Sequence, residues 1–343
     1  QKSKSRKQKS KSRKQKGKGK KWDTLEHNGV IFPEPYKHMK IPMLYGKGKK
    51  KEIMLNAQAE EAAMFYAKVL HLDHVKNPVF RKNFFADWKQ LLPKSTEIKS
   101  LEECDFKNFR AYIESEAEDR KLMTKSEKIR VKENKQKADS KYMIAKVDGT
   151  EQSVGNFRVE PPGLFLGRGK HPKTGKIKRR IEPEDVIINI GEKAKIPKAP
   201  KGHEWGQVIH DHEATWLASW KENINNDTKY VWLGQDAKFK QNSDESKFEK
   251  ARELRRNLDK IRKTNMENIQ MVTGDDKLQQ MAVALWFIDN LVLRIGNEKG
   301  ADEADTVGVC SLRVEHIKMG KSNEVTLDFL GKGENRRDTF PAI

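Results

Sequence analysis

Residues 142–163 read YMIAKVDGTEQSVGNFRVEPPG, and this stretch decides the fold class. Two runs rich in β-branched and aromatic residues, 142–147 and 154–159, flank an Asp148-Gly149 turn, which predicts strands joined by a short connection. Pro161-Pro162-Gly163 stops the second run. Upstream the period is helical. Asn56 reads as an N-cap for a helix reaching about residue 72, with Ala59, Ala62, Ala63, Tyr66, Val69 and Leu70 on one side. Phe80, Phe84, Trp88 and Leu91 mark a second helix over 80–92, bracketed by Pro78 and Pro93. Residues 114–141 carry charges of both signs with scattered Leu122, Met123, Ile129 and Val131, and predict one extended, solvent-exposed helix. Downstream, short strands are expected at 186–190, 207–210, 215–220 and 229–233, between turns rich in Pro, Gly and Asn. Helix returns past 243, where Phe248, Ala251, Leu254, Leu258 and Ile261 share one face. Residues 281–293 are apolar on nearly every side and predict a buried helix. Two strands, 309–314 and 325–330, follow around Gly320, and 333–343 shows no clear element. The fold class is α+β.

The chain has 343 residues, enough for two or three domains, with 70 Lys+Arg against 50 Asp+Glu and a net charge of +20. Apolar and charged residues each make up 35%, so part of the chain must be solvated rather than packed. No run approaches the ~18 apolar residues of a membrane span, and the N-terminus lacks the apolar core of a secretory signal. Cys104 and Cys310 alone support neither a disulfide framework nor a zinc site, which points to a reducing compartment. A basic intracellular protein reads first as a nucleic-acid binder. The charge is concentrated: residues 1–21 hold 12 Lys/Arg and no acid, repeat QKSKSRK twice, and leave +8 for the other 322 positions. With no apolar residue before Trp22, this tail is expected to be disordered, serving as an arm for phosphates, a nuclear address or a solubilising linker.

Enzyme fingerprints are sparse. The 163–170 loop resembles a Walker loop but has one residue too many, and His171 stands where Ser or Thr is needed, so an ATP site is rejected. His210-Asp211-His212 offers two imidazoles and no third ligand nearby, which favours a hydrogen-bonded pair over a metal site. Around Arg168, flanking glycines and uncovered cations suit an arginine pushed into a DNA groove, or an ordinary basic loop. Arg294 with Gly296 reads as a cation and stop at a helix end, and Lys332 as a solvated lysine after a strand.

Six longer motifs change that balance: KNFFADW (82–88), EPPGLFLGRGKHP (160–172), IKRRIEPEDVIIN (177–189), AVALWFIDNLVLRIGNEK (282–299), ADTVGVCSLRVEHI (304–317) and DFLGK (328–332). Together they resemble eukaryotic type IB DNA topoisomerase, over roughly residues 22–332. The resemblance implies a DNA-clamping cap over 22–237 and part of a tyrosine-recombinase-like catalytic region, helical with a β-hairpin, over 238–332. It also implies supercoil relaxation without ATP or an obligatory metal, through a transient 3′-phosphotyrosyl link to double-stranded DNA. Arg294 matches the first catalytic arginine and Lys332 the hairpin lysine that protonates the 5′ leaving oxygen. Arg168 matches a groove-reading arginine. Arg120, Trp216, Lys229, Tyr230, Lys247, Asn297, Lys299 and Thr306 fall on positions similar to DNA-contacting residues of the family.

The departures concern the end of the chain. Family members carry a second arginine, a histidine, a coiled-coil linker and a Ser-Lys-x-x-Tyr nucleophile after the hairpin lysine. Here the six tyrosines, Tyr36, Tyr45, Tyr66, Tyr112, Tyr142 and Tyr230, all precede Arg294, and Gly333 stands where an aspartate is expected. The resemblance is therefore not carried onto 333–343. The chain is similar to the large subunit of the two-chain protozoan form, cut short, and the expected partner is a small tyrosine-bearing subunit. The expected site of action is the nucleus, with a mitochondrial or kinetoplast compartment as a variant. A non-catalytic architectural nucleic-acid binder is the competing class. An RNA scaffold is disfavoured because no stacking platform is evident.

Overall fold

A computed structural model describes residues 19–167, 170–271, 276–300, 303–320, 323–332 and 335–341. Most of the basic tail (1–18) and Arg168 lie outside the described residues. The architecture is mixed α+β, with six helices and several small sheets among the described residues.

The first core is helical. Helix α1 (Ala57–Val69) starts as expected at Asn56, whose side chain accepts from the Ala59 N–H at 2.8 Å. Helix α2 (Pro78–Leu91) has Pro78 in its first turn, where its missing N–H costs nothing, and Asn77 as its cap. Phe80, Phe84, Trp88 and Phe109 are fully buried between these helices and α3 (Lys107–Leu122). The single long helix expected over 114–141 is instead two, α3 and α4 (Lys125–Asp139). Thr124 and Glu127 form a capping box that starts α4 afresh, a signal hidden inside a run of charges.

The second core belongs to the β-rich part. Ile144–Val147 pairs with Thr150–Ser153 through a two-residue turn with Asp148 at φ 50° and Gly149 at φ 73°. The second strand thus begins immediately after Gly149 rather than at Val154, because a two-residue turn sets Val147 opposite Thr150. A four-stranded sheet follows, in the order Gln207–Ile209, Ile187–Asn189, Trp216–Lys221, Thr228–Trp232. Its first pair is parallel and the others antiparallel. Val186, Ile188, Ile190 and Val231 are fully buried beneath it. Trp22 anchors the end of the basic tail there, with its Nε1 donating to Ala214 O at 2.7 Å. Arg180 ties the two cores together, donating to the carbonyls of Pro33 and Glu34 and to Glu61 on α1 at 2.7–3.1 Å.

The rest of the chain is less enclosed. Helix α5 (Lys238–Gln270) runs 33 residues and pairs with α6 (Asp276–Leu291). The Arg262 guanidinium meets Asp289 through two bonds at 2.7 and 2.9 Å, and Asn265 donates to Ala282 O. The buried helix expected over 281–293 is only half covered: Ala282 is buried, but Met281 and Leu285 are 66% and 40% exposed. Covering comes from α5, the following sheet and the turn at Val309. Residues 309–314, expected as a strand, form two short 3₁₀ turns, Val309–Ser311 and Val314–His316, held by Gly308–Ser311 and Arg313–His316 bonds. Pairing begins at Ile317–Met319, continues through Glu324–Leu330, and ends on a third strand, Asn335–Pro341. The C-terminal stretch thus holds a paired strand, registered Thr326↔Thr339. Its sequence, NRRDTFP, lacks the apolar alternation that marks strands, and its order comes from the neighbour it pairs with. Phe340 turns inward against Trp286 and Phe287.

Candidate nucleic-acid interface

Arg294 lies three residues beyond α6, past a left-handed Val292 (φ 54°) that redirects the chain. The helix-end cation is not Arg294: Arg336 on the last strand reaches back and donates to the carbonyl of Leu291 at 3.1 Å. Arg294 is free of that role, and its side chain is exposed. Its backbone is fixed by close packing. Val309 N–H donates to Arg294 O and Cys310 N–H to Ile295 O, both at 2.8 Å. These bonds press Gly296 (φ 83°) against Gly308 so closely that a Cβ on Gly308 would lie 2.5 Å from Gly296. Val307 N–H in turn donates to Leu330 O at 2.8 Å, which docks the end of the central strand beside the same segment. Lys332, two residues on, is thereby held next to the Arg294 segment. Nearby, the Arg313 guanidinium grips Asp305 at 2.6 and 3.0 Å and holds its carboxyl below the usual carboxylate range, so the carboxylate next to Thr306 is already neutralised.

These segments and the loop 164–167 enclose one cavity of about 1360 Å³. Arg294, Asn297, Lys299, Thr306, Lys332 and Lys229 all line it. Gly167 (φ 68°) is needed at its rim, since a Cβ there would lie 2.9 Å from the Cβ of His171. Trp216 and Tyr230 line a separate depression of about 510 Å³. Two candidates stand apart: Arg120 is exposed beside Glu116 near the end of α3, and Lys247 pairs with Asp244 on α5.

Three further cavity residues, Lys178, His171 and Asn225, carried no signal of their own in the sequence, because each arrives from a different strand end or loop. Trp216, Tyr230 and Trp232 also form a ladder with ring centroids 5.7 and 5.3 Å apart. This contradicts the expectation that no aromatic platform exists; the rings are alternate residues of one strand plus a cross-strand neighbour. The imidazoles of His210 and His212 bond different carbonyls, Ile190 O and Trp22 O, as expected of a hydrogen-bonded pair. No helix among the described residues is long and apolar enough to cross a membrane.

Comparison with known proteins assigns nearly all of residues 20–339. The family model for the DNA binding fragment of eukaryotic DNA topoisomerase I matches residues 20–233, and that for its catalytic core matches 236–339. The second match extends past Lys332 into the last strand, so the family likeness does cover most of 333–343. DNA topoisomerase 1 of Candidozyma auris is 47% identical over 323 residues, covering 92% of this chain and 42% of the relative. DNA topoisomerase 1 beta of Arabidopsis thaliana is 47% identical over 315 residues (91% and 34%), and the Homo sapiens protein 44% over 325 (92% and 42%). The chain thus spans a third to two fifths of the length of these curated relatives. Matched over nearly its whole length by both models, the chain belongs to the eukaryotic DNA topoisomerase I family.

Proposed function

We propose that this chain supplies the DNA clamp and part of the catalytic set of a type IB topoisomerase, acting on double-stranded DNA in the nucleus. One observation carries the reading: a single basic cavity is lined both by the 20–233 stretch and by Arg294 and Lys332. Residues 22–237 act as the clamp, with Arg168 reading the groove and Arg120, Trp216, Lys229, Tyr230 and Lys247 contacting DNA. Residues 238–332 present the chemistry. Asn297, Lys299 and Thr306 hold the backbone near the scissile phosphate.

In the reaction, a tyrosine hydroxyl gives its proton to water as its oxygen attacks phosphorus, and the bond from phosphorus to the 5′ oxygen breaks. Arg294 stabilises the charge that grows on the non-bridging oxygens, and Lys332 gives a proton to the departing 5′ oxygen. Religation reverses each transfer, so Lys332 takes the proton back. No tyrosine is among the residues lining the cavity. Tyr36 and Tyr66 are tied into the helical core, where burial pushes both phenols up, Tyr66 to about 12. We assign the nucleophile, with the second arginine and the histidine, to a separate segment or small subunit. The apolar faces left open on α5 and α6 favour such a partner. On this reading the chain alone behaves as the competing architectural binder does: it clamps DNA without cutting it.

The test is plasmid relaxation without ATP. The 343-residue chain should bind supercoiled plasmid and neither relax it nor form a covalent adduct. Adding a tyrosine-bearing C-terminal segment from a relative should restore relaxation. Relaxation by the purified chain alone would overturn the assignment of the nucleophile.

A further inference from the structure

A second groove, of about 570 Å³, shares no lining residue with the DNA cavity. We propose that it binds an extended acidic peptide, with an apolar side chain seated against Ile144 and Ile196 and carboxylates facing Lys141, Lys195 and Lys198 on the rim.

The groove combines three features. Its apolar surface is uncovered, Ile144 being 44% and Ile196 48% exposed. Its charge is sorted by depth. Lys146 stands between Glu26 and Glu151 on the paired strands, so the floor carries little excess charge. The three rim lysines are exposed, and none pairs with a carboxylate among the described residues; the Lys141 ammonium lies 4.9 Å from the Tyr142 ring. Finally, the walls are preformed. Trp205 Nε1 donates to Pro197 O at 2.7 Å, and Asn28 Nδ2 donates to Lys141 O at 2.6 Å. A Cβ on Gly29 would press on Trp205 and Pro197 at 3.3–3.4 Å, so that wall is already packed from behind. A rigid site avoids the ordering cost that weakens binding to mobile loops.

Charge complementarity selects the occupant. The chain's own tail, with 12 cations and no acid in 21 residues, is repelled by the rim. Duplex DNA fits poorly as well. It offers evenly spaced phosphates and nothing apolar to cover Ile144 and Ile196. A peptide can place one apolar side chain over the floor and its carboxylates on the rim.

The probe is a ten-residue synthetic peptide of Asp and Glu with one central Phe, titrated by fluorescence anisotropy into the full chain presaturated with duplex DNA. Duplex occupies the basic cavity, which leaves the groove and the cationic tail open to an acidic peptide, and the charge reversal in the groove tells those two apart. Lys195→Glu/Lys198→Glu should weaken peptide binding about tenfold or more, with duplex affinity changed by less than about twofold. Replacing the central Phe by Ser should weaken binding several-fold, and hydrogen exchange should slow at 140–146 and 195–198. Absence of peptide binding, insensitivity to the charge reversal, or protection at 164–167 and 294–332 instead would overturn the proposal. Equal losses of peptide and duplex would make the groove a DNA surface and overturn it too. Because the groove is separate from the DNA cavity, either outcome leaves the topoisomerase reading unaffected.

Discussion

The part of the chain before residue 238 and the part after it bury their apolar residues to very different extents. Before it, Phe80, Phe84, Trp88, Phe109, Ile188 and Leu217 are all at or near zero exposure, in two extensive clusters. After it, one cluster of six buried residues supports two helices and a sheet, while Phe248, Leu254, Met281 and Val292 stand 55–76% exposed. Apolar side chains repeated along one face of a long helix are usually there to be covered. The part matched to the DNA binding fragment thus holds two closed cores, whereas the part matched to the catalytic core leaves apolar helix faces open.

The largest expected effect tests that contrast directly. Phe84→Ala should cost ~3–5 kcal/mol by opening a cavity in a closed core, while Phe248→Ala should stay within ~0.5 kcal/mol because Phe248 is 65% exposed. Urea unfolding followed by Trp fluorescence reads both. Comparable losses would mean that the α5 face is already covered in solution.

Next in size is the effect on assembly. Leu254→Glu should weaken association with the tyrosine-bearing segment at least ~tenfold, since a charge would be buried in an apolar contact. It should leave duplex binding intact. Analytical ultracentrifugation of the mixture gives the answer, and unchanged association would remove α5 from the interface.

Smaller still is a pH effect confined to the first part. His27 is buried, its Nε2 donating to Asn189 O and its Nδ1 accepting from the Gly29 N–H, and burial holds its pKa below the ordinary 6.5. The unfolded chain therefore takes up a proton that the folded chain resists, so stability present above pH 6.5 falls as the pH drops below it. Thermal unfolding at pH 7 and pH 5 should show the loss, and His27→Gln should flatten it. An unaltered pH profile in the variant would assign the acid sensitivity elsewhere.

How much of this was legible beforehand differs by region in the same way. Asn56 and Pro78 are local signals, and the helices they mark stand within a few residues of where periodicity puts them; the Asp148-Gly149 turn is local too, but the strand after it is 150–153 rather than 154–159. The break at Thr124 was equally local and was masked by surrounding charges. In the second part the errors have two causes: 309–314 forms local 3₁₀ turns held by the Gly308–Ser311 and Arg313–His316 bonds and docked on Arg294, and 335–341 pairs with the neighbouring Glu324–Leu330 although its own polar sequence does not mark a strand. The cavity was legible only through long motifs. Arg294 and Lys332 are unremarkable alone, and their meeting depends on the bonds Val309 to Arg294 and Val307 to Leu330.

On the proposed function, Arg294 and Lys332 act together on one phosphate held in the shared cavity. The direct measurement is single-turnover relaxation beside equilibrium duplex binding, for Arg294→Ala and Lys332→Ala in the chain joined by its tyrosine-bearing partner. Each variant should lose at least ~10²-fold in rate, as expected for removing charge stabilisation or proton donation at the transition state. Duplex affinity should change by less than ~threefold, because the clamp makes most of the contacts. Rates that fall only as far as affinity falls would contradict the account and return both residues to ordinary DNA binding.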